Sequence, residues 1–278
     1  MQKKAYVFTV GTVIAAAFAF FMRWLQNINI MDEETGLAAR GAPISVIIVL
    51  VLLATAGVYA YFTRSQMKYT ALTDPDEAMP MTLPGEKYIA LLIGILLGVA
   101  GILQFAQADL EHWAEADVTV HKISALAAVV GAVGYMMTAA SSKTGARCTG
   151  SALLTLFGCV WLVAVYKTAA SDPVIWRNII AILAVCAATL SFYYIAGYHF
   201  GETHPAKARW ACAMGAFLCI MTLIDDHTSG ESIAYLSAAL MQLLWLYRLI
   251  IGLRDPAEEP EGSAASESSV AEEIASEE

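Results

Sequence analysis

Eight runs of apolar residues, each close to the length of helix that crosses a bilayer, take up most of this chain and leave it little choice of fold. They lie at approximately 5–25, 44–63, 88–107, 123–142, 148–167, 178–198, 206–224 and 232–251. About 20 residues of helix, rising 1.5 Å each, span the roughly 30 Å of hydrocarbon. Hydrocarbon offers the backbone no partners, so each run must satisfy its own N–H and C=O groups and reads as a helix. The predicted fold is all-α: a polytopic transmembrane helix bundle of about eight spans over residues 1–254. Composition agrees, because only 15% of the residues are charged, against about 25% in soluble domains. The mean hydropathy is +0.60. The first run follows Lys3 and Lys4 as a signal peptide would. However, Phe18-Ala-Phe-Phe-Met-Arg23 offers no small-residue cleavage site, so it reads as a retained span.

Charge is distributed unevenly. Residues 255–278 hold nine acids and no base, with Pro256, Pro260 and Gly262 near their start and no aromatic residue. Such a segment cannot bury a core, and it reads as an acidic disordered tail, or in a sharper version as a docking segment for a basic protein partner. The remaining chain balances 16 bases with 16 acids. It has no basic patch interleaved with aromatics, so the bilayer is an expected partner and nucleic acid is not.

The positive-inside rule sets the orientation. With the N-terminus in the cytoplasm, inner segments collect 11 Lys and Arg residues and outer segments 5. An even number of spans returns the C-terminus to the same side, giving an N-in/C-in topology. Trp24, Trp113 and Trp176 then fall at outer ends and Trp210 and Trp245 near inner ends, as an aromatic belt would. Small residues recur on single helix faces: Gly94 and Gly98; Ser124, Ala128 and Ala132; Ala211, Gly215 and Cys219. Such stripes let helix backbones approach closely. The five cysteines form no C-x-x-C pair and read as small buried hydrophobes.

No Asp, Glu, Lys, Arg or His falls in the middle third of any span. This argues against a proton-driven antiporter or a pump with a central carboxylate. Acids gather instead on the outer segments, eleven of them, together with three of the five histidines. The expectation is that His112, Glu115, His121, Asp225, Asp226 and His227 approach one another on the outer face. Histidine and carboxylate would make that cluster a ligand set for a divalent cation such as zinc or manganese. The plainer alternative is that these acids are ordinary solvated groups. His121 and His227 lie at comparable depth, but His199 has no histidine partner on another run, so a two-haem path is incomplete and the histidines read as structural. Spans 1–4 and 5–8 would share one orientation, a hint of parallel duplication.

Arg23-Trp-Leu-Gln26, followed by Asp32-Glu-Glu-Thr-Gly-Leu37, resembles a stretch found in uncharacterised multipass bacterial membrane proteins. The resemblance implies a bacterial plasma-membrane location and carries no activity. There is no Walker motif, catalytic triad or H-E-x-x-H, and no acid–base pair that points to an enzyme. Two function classes are expected: a small-solute or ion permease, and a non-catalytic scaffold or partner subunit of a membrane complex. A membrane redox anchor or enzyme comes third.

Overall fold

The computed structural model describes residues 2–29, 43–66, 70–71, 75–80, 85–109, 115–141, 143–171 and 175–254. Among them, eight helices are long and apolar enough to cross a membrane. They are α1 (Gln2–Asn29), α2 (Pro43–Ser65), α4 (Glu86–Gln107), α5 (Glu115–Ala140), α6 (Thr144–Ser171), α7 (Ile175–Phe200), α8 (Pro205–Met221) and α9 (Ser229–Ile251). Between α2 and α4 lie a two-residue strand β1 (Thr70–Ala71) and the one-turn helix α3 (Pro75–Ala78). A second short strand, β2 (Leu253–Arg254), follows α9. The eight helices make the chain a multipass membrane protein. The acidic segment 255–278 lies outside the described residues.

Local sequence accounts for where several helices start. Gly85 takes a φ of 83° before α4, a conformation that costs glycine least. Pro205 opens α8 at a position where its missing N–H is not needed. Thr228 and Glu231 form a reciprocal capping box at the start of α9, each side chain accepting from the other's backbone N–H.

Helices α4 to α9 form a closed ring in chain order, because α9 packs beside α4 as well as α8. Helix α1 leans on α8 and α9 from outside, and α2 covers part of α1 and α8. Accordingly α8 and α9 are the most buried spans and α2 the least. The small-residue stripes sit at the crossings. Gly94, Gly98 and Gly101 all face α5, and a Cβ on Gly101 would stand 2.6 Å from the Ala125 carbonyl. Gly134 and Gly150 bring α5 and α6 together, a Cβ on either meeting the other's carbonyl at 2.5 Å. Gly215 on α8 leaves room for the side chain of Gln242 on α9.

The start of α1 and the end of α9 lie at one end of the bundle, called here the terminal end, because the far end of α1 meets the α8–α9 turn through Arg23 and Asp225. There β1 pairs antiparallel with β2, Thr70 against Arg254 and Ala71 against Leu253. The pairing straps the α2–α4 connection across the foot of α9, where Ala78 of α3 packs directly on Gly252.

The aromatic belt is only partly realised. Trp24 is exposed at the end of α1, but Trp245 is just 5% exposed and lies inside the ring. The correction has a simple cause: α9 is flanked by ring partners, so a large side chain near its end packs inward. Trp113 and the side chain of Trp176 lie outside the described residues.

Candidate functional site: a cavity and a polar network joined by an aromatic column

The axis of the ring is filled by aromatic rings. From the opposite end, His227 lies 4.7 Å from Tyr235, centroid to centroid. Tyr235 lies 4.9 Å from Trp161, which stacks on Phe157 at 5.3 Å. The series continues to Phe192 at 6.4 Å, to Trp245 at 5.9 Å and to Tyr135 at 5.5 Å. Helices α5, α6, α7 and α9 each contribute, and Phe157, Trp161, Phe192 and Tyr235 are at most 2% exposed. Such contacts lie in the favourable range for aromatic pairs.

At the opposite end the column meets a polar network. Arg23 of α1, 2% exposed, donates from Nε to Asp225 Oδ1 at 2.7 Å and from Nη1 to Gln26 at 2.7 Å. Gln26 passes a hydrogen bond to Ser45 on α2, and Asn27 also reaches Asp225, at 3.3 Å. The Thr222 hydroxyl lies 3.0 Å from Asp225 Oδ2 and 3.1 Å from His227 Nε2. On the other side of the ring, His121 Nδ1 is 3.7 Å from Glu231 and its Nε2 is 3.1 Å from the Thr168 hydroxyl. Gln107 of α4 accepts from the Gly230 N–H.

The structure therefore brings Asp225 and His227 onto one hydroxyl and sets His121 against α9. Asp226 is exposed beside them. His112 and the side chain of Glu115 lie outside the described residues. Among the described residues no three His, Cys, Asp or Glu side chains converge on one point, and the charge of Asp225 is met by Arg23.

The terminal end holds a cavity of about 230 Å3, lined by residues of α3, α5, α6, α7 and α9. Its walls include Asp76, Tyr135, Thr138, Arg147, His199, Trp245 and Arg248. Two ion pairs frame it. Arg248, with its side chain 8% exposed, pairs through Nε with the fully buried Glu86 of α4. Arg147 pairs with Asp76 at 2.5 Å and donates from Nε to the Ser141 carbonyl at 2.7 Å. Two donors are left over: Arg248 Nη2 and the Tyr135 hydroxyl are buried with no hydrogen-bond partner among the described residues. Both residues line the cavity. Two larger apolar grooves, about 830 Å3 between α1 and α2 and about 560 Å3 between α6 and α7, lie away from the ring axis. In a bilayer, acyl chains meet such faces.

Sequence reasoning did not single out Glu86, Tyr135 or Arg248. A signal was available: Arg248 falls within the last turn of an apolar run, and Glu86 stands just before the start of another. Ionisable groups so placed are costly unless paired. No protein-family model, curated protein or solved structure matches this chain.

Proposed function

We propose that the chain is a permease-type carrier of a small solute, with its path along the axis of the α4–α9 ring. The observation that carries this reading is the terminal cavity: it lies at one end of the aromatic column, is lined by Tyr135, Thr138, Arg147, His199 and Arg248, and ends on Tyr135 and Trp245. A carrier must close one side of its site while the other is open, and an aromatic column held by dispersion contacts separates two aqueous ends without any intramembrane charge. The excess of Lys and Arg puts the terminal end, with both termini, toward the cytoplasm. A bacterial plasma membrane is the location that the resemblance of residues 23–37 supports.

The test is flux. Purified full-length protein in proteoliposomes, offered a panel of labelled small anions, cations and neutral solutes, takes up at least one faster than protein-free vesicles. Uptake of none of them overturns the reading.

One observation favours a second reading. The column is continuous, with Phe157, Trp161, Phe192 and Tyr235 at most 2% exposed, and the cavity reaches inward only to Tyr135 and Trp245. A bundle of that kind also suits a non-catalytic scaffold or partner subunit. Stoichiometric co-purification of another membrane protein, with no flux, would decide for it.

A further inference from the structure

We infer that α3 is a lid over the terminal cavity, and that the β1–β2 strap holds the lid down. In making the lid the terminal gate of a solute path the inference rests on the permease reading, whereas the placement of α3 over the cavity stands on geometry alone.

The local sequence makes α3 a short, separate piece. Pro75 and Pro80 stand five residues apart. Proline suits the first position of a helix and turns the residue before it away from helical geometry. Asp76 and Glu77 occupy the first turn, where acids favour a helix start. The turn closes with a hydrogen bond from the Met79 N–H to the Pro75 carbonyl. A single turn does not hold itself in water, because the cost of nucleation outweighs one hydrogen bond. Contact with the bundle holds α3, and that contact covers the cavity. Pro75, Asp76 and Met79 form one wall, with Met79 9% exposed and Ala78 5%. The other walls belong to α5, α6, α7 and α9, spans packed against one another in the ring. Displacing any of those spans breaks the ring, whereas α3 can lift without disturbing a contact between spans.

Three fastenings hold the lid, and each is small. Strands β1 and β2 pair over two residues, below the usual strand length of about 3–10. Arg147 pairs with Asp76, whose side chain is 73% exposed, and exposed pairs contribute little. Ala78 rests on Gly252, the C-cap of α9. A Cβ at Gly252 would run into the Ala78 carbonyl, so glycine is what lets α3 come down on the end of α9. The strap acts on the same contact: β1 ends four residues before Pro75, and β2 begins at the residue after Gly252. Pairing the strands therefore keeps α3 against α9. Elements held this weakly open locally without global unfolding, and loop openings of this kind gate access to buried sites.

The experiment measures access to the cavity in full-length protein whose five cysteines are replaced. Thr138→Cys, on the α5 wall, reports access through its rate of modification by a water-soluble maleimide, read at that residue by mass spectrometry. Thr70→Cys with Arg254→Cys locks the strap, because these positions face each other. Facing positions of an antiparallel pair stand roughly 4.5–5.5 Å apart at Cα, within the span of a disulfide. Oxidising the strap should slow modification of Thr138→Cys about tenfold or more, a tenfold fall in the open population. Reduction should restore the rate, so each molecule is its own folding control. Gly252→Ala, outside the cavity wall and the ion pair, should speed modification severalfold. The exposed reporter Lys143→Cys should react alike in every form. A single rate at Thr138→Cys in the oxidised and reduced forms would overturn the inference, and so would a Gly252→Ala rate no faster than that with glycine. Gated access without flux of any solute defeats the permease reading alone, whereas flux undiminished by the oxidised strap defeats this inference alone.

Discussion

Arg23 and Asp225, 202 positions apart in the chain, form an ion pair at 2.7 Å with side chains only 2% and 8% exposed. The contact ties the outlying helix α1 to the turn between α8 and α9. It also explains why α1 runs helical through its polar end to Asn29: Arg23, Gln26 and Asn27 all find partners there. Breaking a buried pair leaves an uncompensated charge, which costs about 3–5 kcal/mol. Arg23→Leu should therefore lower the thermal unfolding temperature in detergent sharply. The double change Arg23→Leu with Asp225→Leu should recover much of the loss. A double variant no more stable than the single one would show that Asp225 has a separate structural role.

The glycine contacts predict a position-dependent response to small substitutions. At Gly134 an added Cβ meets the Gly150 carbonyl at 2.5 Å, and Leu153 and Leu154 of α6 close the remaining space. Gly134→Val should cost about 1–3 kcal/mol, the usual range for overpacking. At Gly57 on α2 nothing lies within 4 Å, so Gly57→Ala should be neutral or stabilising by up to about 1 kcal/mol. Equal effects at the two positions would contradict the α5–α6 packing.

These packing relationships divide what the sequence disclosed from what it withheld. Span positions were legible because hydrocarbon thickness sets helix length: the run expected at 88–107 is α4, Glu86–Gln107, and that at 232–251 is α9, Ser229–Ile251. Neighbouring spans were legible too, since short connections force antiparallel packing. Closure of the ring through α4 and α9 was not, because nothing local encodes a contact between spans so far apart. Glu86 and Arg248, 162 positions apart, meet only through that closure. Singly, Glu86 reads as a charge just outside one run and Arg248 as a charge in the last turn of another, and neither names its partner. For the same reason Trp245 reads as a belt residue in sequence and becomes part of a buried column in the fold. At the opposite end, His121, Asp225 and His227 were picked out as one cluster. The fold gives each a protein partner: Glu231 and Thr168 for His121, Arg23 for Asp225, Thr222 for His227.

Trp161 is the joint of the aromatic column, touching both Phe157 and Tyr235 while 2% exposed. Trp161→Ala should cost about 3–5 kcal/mol through lost burial and the void left behind. Trp161→Phe keeps part of the contact and should cost clearly less. Unfolding temperatures in one detergent check the order: wild type, then Trp161→Phe, then Trp161→Ala. Equal stability of Trp161→Ala and wild type would mean that the column contributes little to holding the ring.

The sidedness assignment predicts a labelling pattern. In a variant whose five cysteines are replaced, Lys143→Cys at the terminal end and Asp226→Cys at the opposite end are both exposed sites. A membrane-impermeant maleimide added to intact cells should modify Asp226→Cys and spare Lys143→Cys until the membrane is broken. The reverse pattern would invert the topology.

Removal of residues 255–278 should leave folding intact, provided the cut falls after Arg254. The segment carries nine negative charges and almost no large apolar side chain, and apolar burial is what offsets the ordering entropy of a chain. Leu253 and Arg254 must stay, because they pair with Ala71 and Thr70 and strap the α2–α4 connection over α9. The variant ending at Arg254 should reach the membrane at normal levels, with a stability changed by no more than the roughly 0.5 kcal/mol typical of surface changes. A cut two residues earlier should be measurably worse. Normal stability with loss of a co-purifying protein would assign the acidic segment to docking. Loss of membrane expression on cutting after Arg254 would show that the segment takes part in assembly, and the solvated-tail reading would fall.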